Sequence, residues 1–272
     1  MLANEAVVRV SAFGLTLTLL WVMEYFLPRR EQPKRQWFRR VNNLLLVVVN
    51  SVVLRILLPV TAVVTAEWAI ASHWGLLNQL SLPGWVSGVI AFLILDLAIY
   101  GQHVAMHYFS WLWPLHRVHH SDRVFDATTG IRFHTLEIVL SMLWKVAVVL
   151  ILGPPVVAVI VFEIMLNAIS MFNHSNIAIP LRLDALFRSV VVTPDMHRVH
   201  HSIFREEHDC NYGFNFSWWD FLFRTYLPQP KEGHREMKIG VPGLSESDLS
   251  RLDRLLYQPL RHPRNDSESS SD

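Results

Sequence analysis

Two short phrases, LHRVHHS at residues 115–121 and MHRVHHS at residues 196–202, repeat the pattern HxxHH. A third group, QHVAMH, places His103 and His107 four residues apart. On a helix, residues three or four positions apart share a face, so each group presents a row of imidazole rings. Imidazole is the commonest metal-binding side chain and suits iron, zinc and copper. The candidate metal ligands are His103, His107, His116, His119, His120, His197, His200 and His201.

These histidines are more numerous than one metal ion needs, because a zinc or similar site takes about three or four protein ligands. The number indicates two metal ions side by side, each with an open position. A single cysteine, Cys210, excludes an intrachain disulfide and a cysteine-based zinc site, so nitrogen and oxygen must hold the metals. His174 in FNHSN is expected to supply a ninth ligand; the alternative is a helix-end histidine beside Ser175.

Polar residues also precede the first histidine pair on the same helix face. Asp96, Tyr100 and His103 follow at spacings of four and three, and His107 comes four residues later. A carboxylate inside the apolar stretch AFLILDLAIY is costly unless it has a partner. Asp96 is therefore expected either to support a metal-bound histidine, which commonly donates its second N–H to such a group, or to make a structural contact between helices.

Five histidines remain outside these groups. His134 in IRFHTLE is expected to support the site or to be structural, with a ligand role as the alternative. The other four have no histidine at metal-binding spacing, and we expect them to lie outside the site: His73, His208, His234 and His262.

The elements that carry these residues are strongly apolar. The 272 residues are 51% hydrophobic and only 17% charged. This composition is typical of a membrane protein, and a net charge of +1 gives no indication of nucleic-acid binding. Apolar stretches predict about four or five membrane-spanning helices at residues 6–27, 41–70, 82–100, 136–153 and 154–172.

Some of these spans allow two interpretations. The first reads as a retained anchor, because no small-residue cleavage site follows it. The stretch 41–70 contains Arg55 and Pro59, so it is either one kinked span or two pieces. The last two stretches are separated by Gly153-Pro154-Pro155, which predicts an antiparallel pair; they form either two full crossings or a re-entrant hairpin.

The distribution of Lys and Arg predicts orientation. Segments 28–40, 108–135 and 173–272 are basic, whereas residues 71–83 and 153–155 contain neither Lys nor Arg. Cytoplasmic loops collect basic residues, so the clustered histidines are expected on the cytoplasmic side. The predicted fold is an all-α, multi-pass integral-membrane bundle with a cytoplasmic helical cap. It forms one domain over residues 1–263, followed by a polar, disordered tail at 264–272.

The order HxxxH, HxxHH and a distant HxxHH in a hydrophobic chain resembles the fatty acid hydroxylase/sterol desaturase superfamily. The resemblance covers residues 96–226 and includes DxxxYxxHxxxH, RFH, NHSN, TPxMHRVHHS and NYGxNxSWWDxLFxTY. Two positions depart from the family pattern: Arg224 replaces a frequent Gly, and Thr135 replaces the proline that usually follows RFH. The second departure leaves the role of His134 open.

The resemblance implies a non-haem di-iron centre that uses O₂ and two electrons to hydroxylate or desaturate a lipid taken from the bilayer. Zinc is expected as a possible substitute in purified protein. The chain contains no cytochrome b5-like or ferredoxin-like segment, so we expect a separate electron-donor protein of one of these types. The resemblance also implies that several residues support the metal ligands: Asn173, Asn211, Tyr212, Trp219 and Asp220.

Three other classes of protein are alternatives to this interpretation, and the sequence favours none of them. A bis-histidine haem carrier would place paired histidines within facing spans, whereas these cluster at span ends. A membrane zinc hydrolase would require a general base, and the chain contains no HExxH. A metal transporter would carry ionisable residues deep in several spans, and Asp96 and Glu163 are the clear acidic candidates.

Overall fold

The structure, a computed structural model, describes residues 4–33 and 36–261. This part of the chain is all-helical and contains no β-strand, which confirms the predicted fold class. The tail predicted for residues 264–272 and His262 lie outside the described residues. The helices are α1 Glu5–Phe26, α2 Trp37–Leu57, α3 Ala62–Ala71, α4 Gly84–Tyr108, α5 Trp113–His120, α6 Thr135–Leu152, α7 Val156–Asn173, α8 Leu181–Phe187, α9 Pro194–His200, α10 Arg205–His208, α11 Trp218–Phe223, α12 Gly233–Glu236, α13 Glu246–Ser250 and α14 Leu252–Tyr257.

Five stretches of the described chain are long and apolar enough to cross a membrane. They are Glu5–Phe26, Trp37–Gln79, Gly84–Tyr108, Thr135–Leu152 and Val156–Asn173. Their outward faces carry large apolar side chains: Val10 is 70% exposed and Leu15 is 73% exposed on α1. Apolar surface this continuous is expected to face lipid rather than water.

The second stretch is divided into two helices. Helix α2 ends at Leu57, and α3 begins after Thr61, whose side chain accepts a hydrogen bond from the Val64 amide. Pro59 lies in the break, where its missing N–H and fixed φ oppose a continuous helix. Of the two interpretations of residues 41–70, the structure therefore shows two pieces.

Helices α6 and α7 form an antiparallel pair, each of 18 residues. A helix of this length is about 27 Å long at 1.5 Å per residue, close to the thickness of a bilayer core. Gly153 ends α6 with a φ of 59°, and a Cβ there would collide with the Trp74 carbonyl. The lengths of the pair are those of two full crossings.

One core holds the spanning helices together. Helices α3, α4, α6 and α7 pack around a cluster in which Phe162 and Ala66 are fully buried, and Phe214 from the segment between α10 and α11 joins it. Helix α1 packs along α7. The bundle thus brings the carboxyl ends of α4 and α7 towards the same set of short helices.

That set of short helices forms a cap on the bundle. Buried charges attach it to α2: the Arg39 guanidinium donates hydrogen bonds to the carboxylates of Asp122 and Asp126. Arg132, which is fully buried, donates to the carbonyls of Val118 and Leu249 and so joins the end of α5 to α13. These contacts fix the position of α5, one of the two helices that carry HxxHH.

Candidate metal centre

The two HxxHH phrases form the short helices α5 and α9. Each helix begins with a proline in its first turn, Pro114 or Pro194, where the missing N–H costs nothing. Thr193 also caps α9 by accepting a hydrogen bond from the Met196 amide. The local sequence thus starts both helices three residues before the first histidine of each phrase.

The arginine and valine shared by the two phrases do not face the histidines of the site. Val118 and Val199 are fully buried, and the Arg117 guanidinium donates to the carbonyls of Gln258 and Arg261. Arg198 pairs with Asp195 on its own helix. The repeated Arg-Val therefore anchors each helix, which leaves the imidazoles on the other face free to converge.

The structure brings all nine candidate ligands together in two adjacent groups. In each group one ligand atom from every residue lies within 4.8 Å of all the others. The five-histidine group contains His103, His107, His116, His120 and His200. The four-histidine group contains His119, His174, His197 and His201.

Each HxxHH phrase contributes to both groups. The first and last histidines of α5, His116 and His120, belong to the five-histidine group, and the middle one, His119, belongs to the other. In the second phrase the middle histidine, His200, belongs to the five-histidine group, and the first and last, His197 and His201, belong to the four-histidine group. Positions i and i+4 lie almost one above the other, whereas i+3 is rotated to the side, so one helix can reach two sites.

The Nε2 atoms converge at distances that hydrogen bonds alone cannot explain. His103 Nε2 lies 2.9 Å from His200 Nε2. Their Nδ1 atoms donate to the carbonyls of Tyr212 and Cys210, each at 2.7 Å. A neutral imidazole that donates through Nδ1 has only a lone pair at Nε2, so two lone pairs face each other. A cation bound between them would satisfy both.

The Nε2 atoms of the four-histidine group also lie close together and face one another. His174 Nε2 lies 3.0 Å from His119 Nε2 and 3.1 Å from both His197 Nε2 and His201 Nε2. Its Nδ1 donates to the Ser170 carbonyl at 2.7 Å, which leaves Nε2 as an acceptor. The donor set therefore fits a metal ion bound by imidazole nitrogen, the ligand that suits iron, copper or zinc.

Burial favours the metal-binding form of these side chains. Burial first, and neighbouring imidazoles second, lower the pKa of His119, His120 and His201 well below the usual value. Burial also lowers the pKa of His174 to about 3. Near neutral pH these rings are uncharged, and the uncharged ring is the form that binds a metal.

Asp96 contacts no histidine. Its carboxylate accepts hydrogen bonds from the Trp219 indole at 2.8 Å, the Asn215 side chain at 2.9 Å and the Phe216 amide at 3.2 Å. These contacts match the structural alternative: Asp96 fastens the segment between α10 and α11, and the start of α11, to α4. Tyr100 acts similarly, since its hydroxyl lies 2.9 Å from the Thr225 hydroxyl.

Of the residues expected to support the ligands, Tyr212 touches them directly. Its carbonyl accepts from His103, and its ring packs edge-on against His103 and His107. Asp220 holds Tyr212 in place by accepting from the amides of Tyr212 and Gly213, each at 2.8 Å. Asn211 secures the same segment by donating to the carbonyls of Met196 and Leu227.

Asn173 and His134 lie one step further away. Asn173 donates to the Phe214 carbonyl at 3.1 Å. His134 makes contacts that fit the structural role, one of the two expected for it: its Nε2 bonds the Leu256 carbonyl, and its Nδ1 caps α6 by accepting from the Leu136 amide. Capping occupies the ring because His134 is the residue immediately before α6.

The structure adds three residues that sequence reasoning did not select. Glu137 accepts a hydrogen bond from His116 Nδ1 at 2.6 Å. His208, expected to lie outside the site, stacks on the Trp113 ring and packs against His107. Asp209 lies 3.4 Å from His107 Nδ1. In the sequence, these residues could have been found only by their position, because Glu137 and the pair His208-Asp209 lie close to histidine motifs.

A cavity of about 570 Å³ lies between α1, α2, α4, α6 and α7. It reaches the five-histidine group at His103 and His116, and Glu137 also lines it. Apolar side chains line much of the remainder, including Phe13 and Met142. An apolar molecule of lipid size could therefore reach the histidines from within the bundle.

The sequence model of the fatty acid hydroxylase family matches residues 88–225, which include all nine histidines. The chain belongs to this family. The family segment begins within α4 and ends two residues after α11, so it contains both HxxHH helices and the α6–α7 pair.

Named relatives of this family member act on lipids. It is 29% identical to the ornithine lipid hydroxylase OlsE of Rhizobium tropici over 157 residues, 57% of this chain and 45% of the relative. It is 31% identical to alkylglycerol monooxygenase of Danio rerio, over 57% of this chain and 34% of the relative. The chain spans less than half the length of these relatives. No solved structure matches it.

Proposed function

We propose that this chain is a multi-pass membrane enzyme that hydroxylates a C–H position of a lipid at a non-haem di-iron centre. The observation that carries the proposal is the pair of adjacent all-histidine groups, one of which borders a largely apolar cavity. The relatives support lipid hydroxylation in particular, because their names describe a lipid hydroxylase and a monooxygenase. Desaturation is the alternative outcome, since it begins with the same hydrogen abstraction.

Two irons bound in the histidine groups would supply O₂ activation that amino-acid side chains cannot provide. The balanced reaction takes the lipid C–H, O₂, two electrons and two protons to the lipid C–OH and water. The two electrons come from a separate donor, for which we propose a cytochrome b5-like or ferredoxin-like protein.

The protein's own residues hold and orient the site. The carbonyls of Tyr212, Cys210 and Ser170 fix three imidazoles with Nε2 pointing inward. The Glu137 carboxylate does the same for His116. The Phe133 ring stacks on His119 with ring centroids 4.4 Å apart and so shields the four-histidine group from water. Such partners around a metal ligand typically affect metal affinity by about 10–100-fold.

Metal analysis of protein purified without oxygen tests the proposal. We expect two irons per chain, no haem absorption, and loss of both irons in His119→Ala and in His200→Ala. Turnover with ¹⁸O₂ should place ¹⁸O in the lipid product. A single metal ion retained in both variants would refute the di-iron centre, and product oxygen derived from water would refute the oxygenase.

A further inference from the structure

Four charged side chains line the cavity but contact none of the nine histidines. Glu163 on α7 accepts hydrogen bonds from Lys145 on α6 at 2.6 Å and from Arg9 on α1 at 2.7 Å. Arg9 also donates to Glu5 at 2.7 Å. All four residues line the same cavity as His103. We call Glu5, Arg9, Lys145 and Glu163 the charged cluster.

Placing charged side chains at these positions costs free energy. Lys145 and Glu163 lie near the middle of spans that are otherwise apolar, and charged side chains there are rare and mark substrate or ion pathways. One role of these ion pairs is to hold α1 and α6 against α7. A purely structural ion pair would be sealed between helices, whereas these side chains face a cavity that continues to the metal centre.

The charged cluster and the metal centre are separated along the helices. On α6, Glu137 beside His116 and Lys145 are eight residues apart, about 12 Å at 1.5 Å per residue. On α7 and its end, Glu163 and His174 are eleven residues apart, about 16 Å by the same rise. An extended lipid chain could therefore occupy both places at once.

The charges of the cluster cancel, because two cations face two carboxylates. A ligand group with a net charge would gain attraction from one half of the cluster and repulsion from the other. A hydroxyl, amide or ester group, by contrast, can donate to or accept from the unused hydrogen-bonding positions of Lys145 and Glu163. The cluster is thus suited to a polar group without net charge.

We propose that the charged cluster binds the polar group of the lipid substrate, and that this group is uncharged. The inference rests on the proposed function, because it takes the cavity as the substrate site. It places the oxidised C–H on the hydrocarbon chain, about 12–16 Å from the polar group as measured along the helices.

Binding of three matched C16 compounds to the purified full-length protein tests this: 1-hexadecanol, hexadecane and hexadecyl phosphate. We expect the alcohol to bind about tenfold more tightly than the alkane, as one hydrogen bond to a charged partner allows, and more tightly than the phosphate. Lys145→Met should remove the preference for the alcohol, and Lys145→Arg should retain it.

A second variant protects the test against misfolding. Because Lys145→Met leaves Glu163 with one partner fewer, the pair Lys145→Met with Glu163→Gln removes both charges and should also lose the preference. Thr18→Val, an exposed position on α1 outside the cavity lining, is the matched control and should keep it. Equal binding of alcohol and alkane, tighter binding of the phosphate, or an alcohol preference that survives in the double variant would overturn the proposal.

The binding assay needs no turnover, so the two proposals fail separately. Protein that holds no iron would end the proposed function while the alcohol preference could still be measured. Active protein without that preference would end the proposal for the cluster alone. In active protein, the double variant should also spread the product hydroxyl over several carbons, because the chain would no longer be held at its polar end.

Discussion

Two buried carboxylates near the metal centre differ in what they contact. Glu137 accepts a hydrogen bond from His116 Nδ1, so its charge acts directly on a candidate metal ligand. Asp96 instead collects donors from Asn215, Phe216 and Trp219, and contacts the segment that carries Tyr212. Although Asp96 lies on the same helix face as His103, its hydrogen bonds go to this segment and not to the ring, so we predict that it stabilises the fold.

Substituting these carboxylates should separate the two roles. Glu137→Gln is expected to weaken iron retention within the range of about 10–100-fold, because the amide orients His116 less strongly. Asp96→Asn is expected to lower the melting temperature and expose residues 211–226 to protease, with a smaller effect on iron. Chelator-driven iron loss and thermal unfolding measure both effects. Faster iron loss from Asp96→Asn than from Glu137→Gln would contradict this assignment.

For individual residues, the sequence predicts which side chains form the site better than it predicts which groups those side chains contact. Eight of the nine histidines could be selected because i, i+3 and i+4 spacing is a local property of the chain, and His174 because it lies where the last apolar helix ends. Glu137 could not, since its contact with His116 depends on how α5 packs on α6. The carbonyls of Tyr212, Cys210 and Ser170 leave no signature, because every residue has one.

A close contact between a short 3-10 turn and α7 fixes the position of the end of α7. Gly130, in the 3-10 turn Thr129–Ile131, lies so close to α7 that a Cβ would collide with the Ser170 carbonyl. The Ser170 hydroxyl also donates to the Gly130 carbonyl at 2.7 Å. The same Ser170 carbonyl accepts from His174 Nδ1. The turn therefore positions a candidate ligand through the backbone of its neighbour.

Gly130→Ala should consequently damage the four-histidine group. Forcing a methyl group into this contact is expected to destabilise the fold by about 1–3 kcal/mol and to shift His174. Gly14→Ala is the control, because nothing lies within 4 Å of a Cβ at Gly14. Unfolding free energy and iron content give the comparison. Wild-type iron content and stability in Gly130→Ala would show that the turn can yield without moving α7.

The spanning helices could be predicted from composition, but most of the cap could not. The spans predicted at 6–27, 136–153 and 154–172 agree with α1, α6 and α7 to within two residues, because a long apolar stretch is what a membrane helix requires. Helix α4 continues eight residues beyond its predicted span, through the first histidine pair. Helices such as α10 and α12 have four residues each, which is too short for any periodicity. Contacts between residues far apart in sequence determine the positions of such helices: on α10, for example, the buried Glu207 carboxylate accepts a hydrogen bond from the Lys231 amide.

For the whole molecule, we predict that the cap and the histidines face the cytoplasm. Basic residues concentrate in the segments that contribute to the cap, and the turn Leu76–Gln79 lies between the outer ends of α3 and α4 in this orientation. The cap would then meet a soluble electron donor, while the cavity would receive lipid from the bilayer.

Labelling of single cysteines in intact cells tests the orientation. In a Cys210→Ser background, Gln79→Cys should react with a membrane-impermeant maleimide, whereas Lys238→Cys should react only after permeabilisation. Both positions are exposed in the structure, so a difference in labelling would show that they lie on opposite sides of the membrane. Labelling of Lys238→Cys from outside would reverse the orientation.

Each HxxHH helix contributes histidines to both groups, and this arrangement has a consequence for how the protein fills with iron. An ion that enters one group fixes α5 and α9, and the same two helices carry histidines of the other group. Loading should therefore be cooperative. At half the iron needed for saturation, native mass spectrometry should show mostly empty and doubly loaded chains, with few singly loaded ones. A statistical distribution, in which singly loaded chains dominate, would mean that the two groups fill independently despite their shared helices.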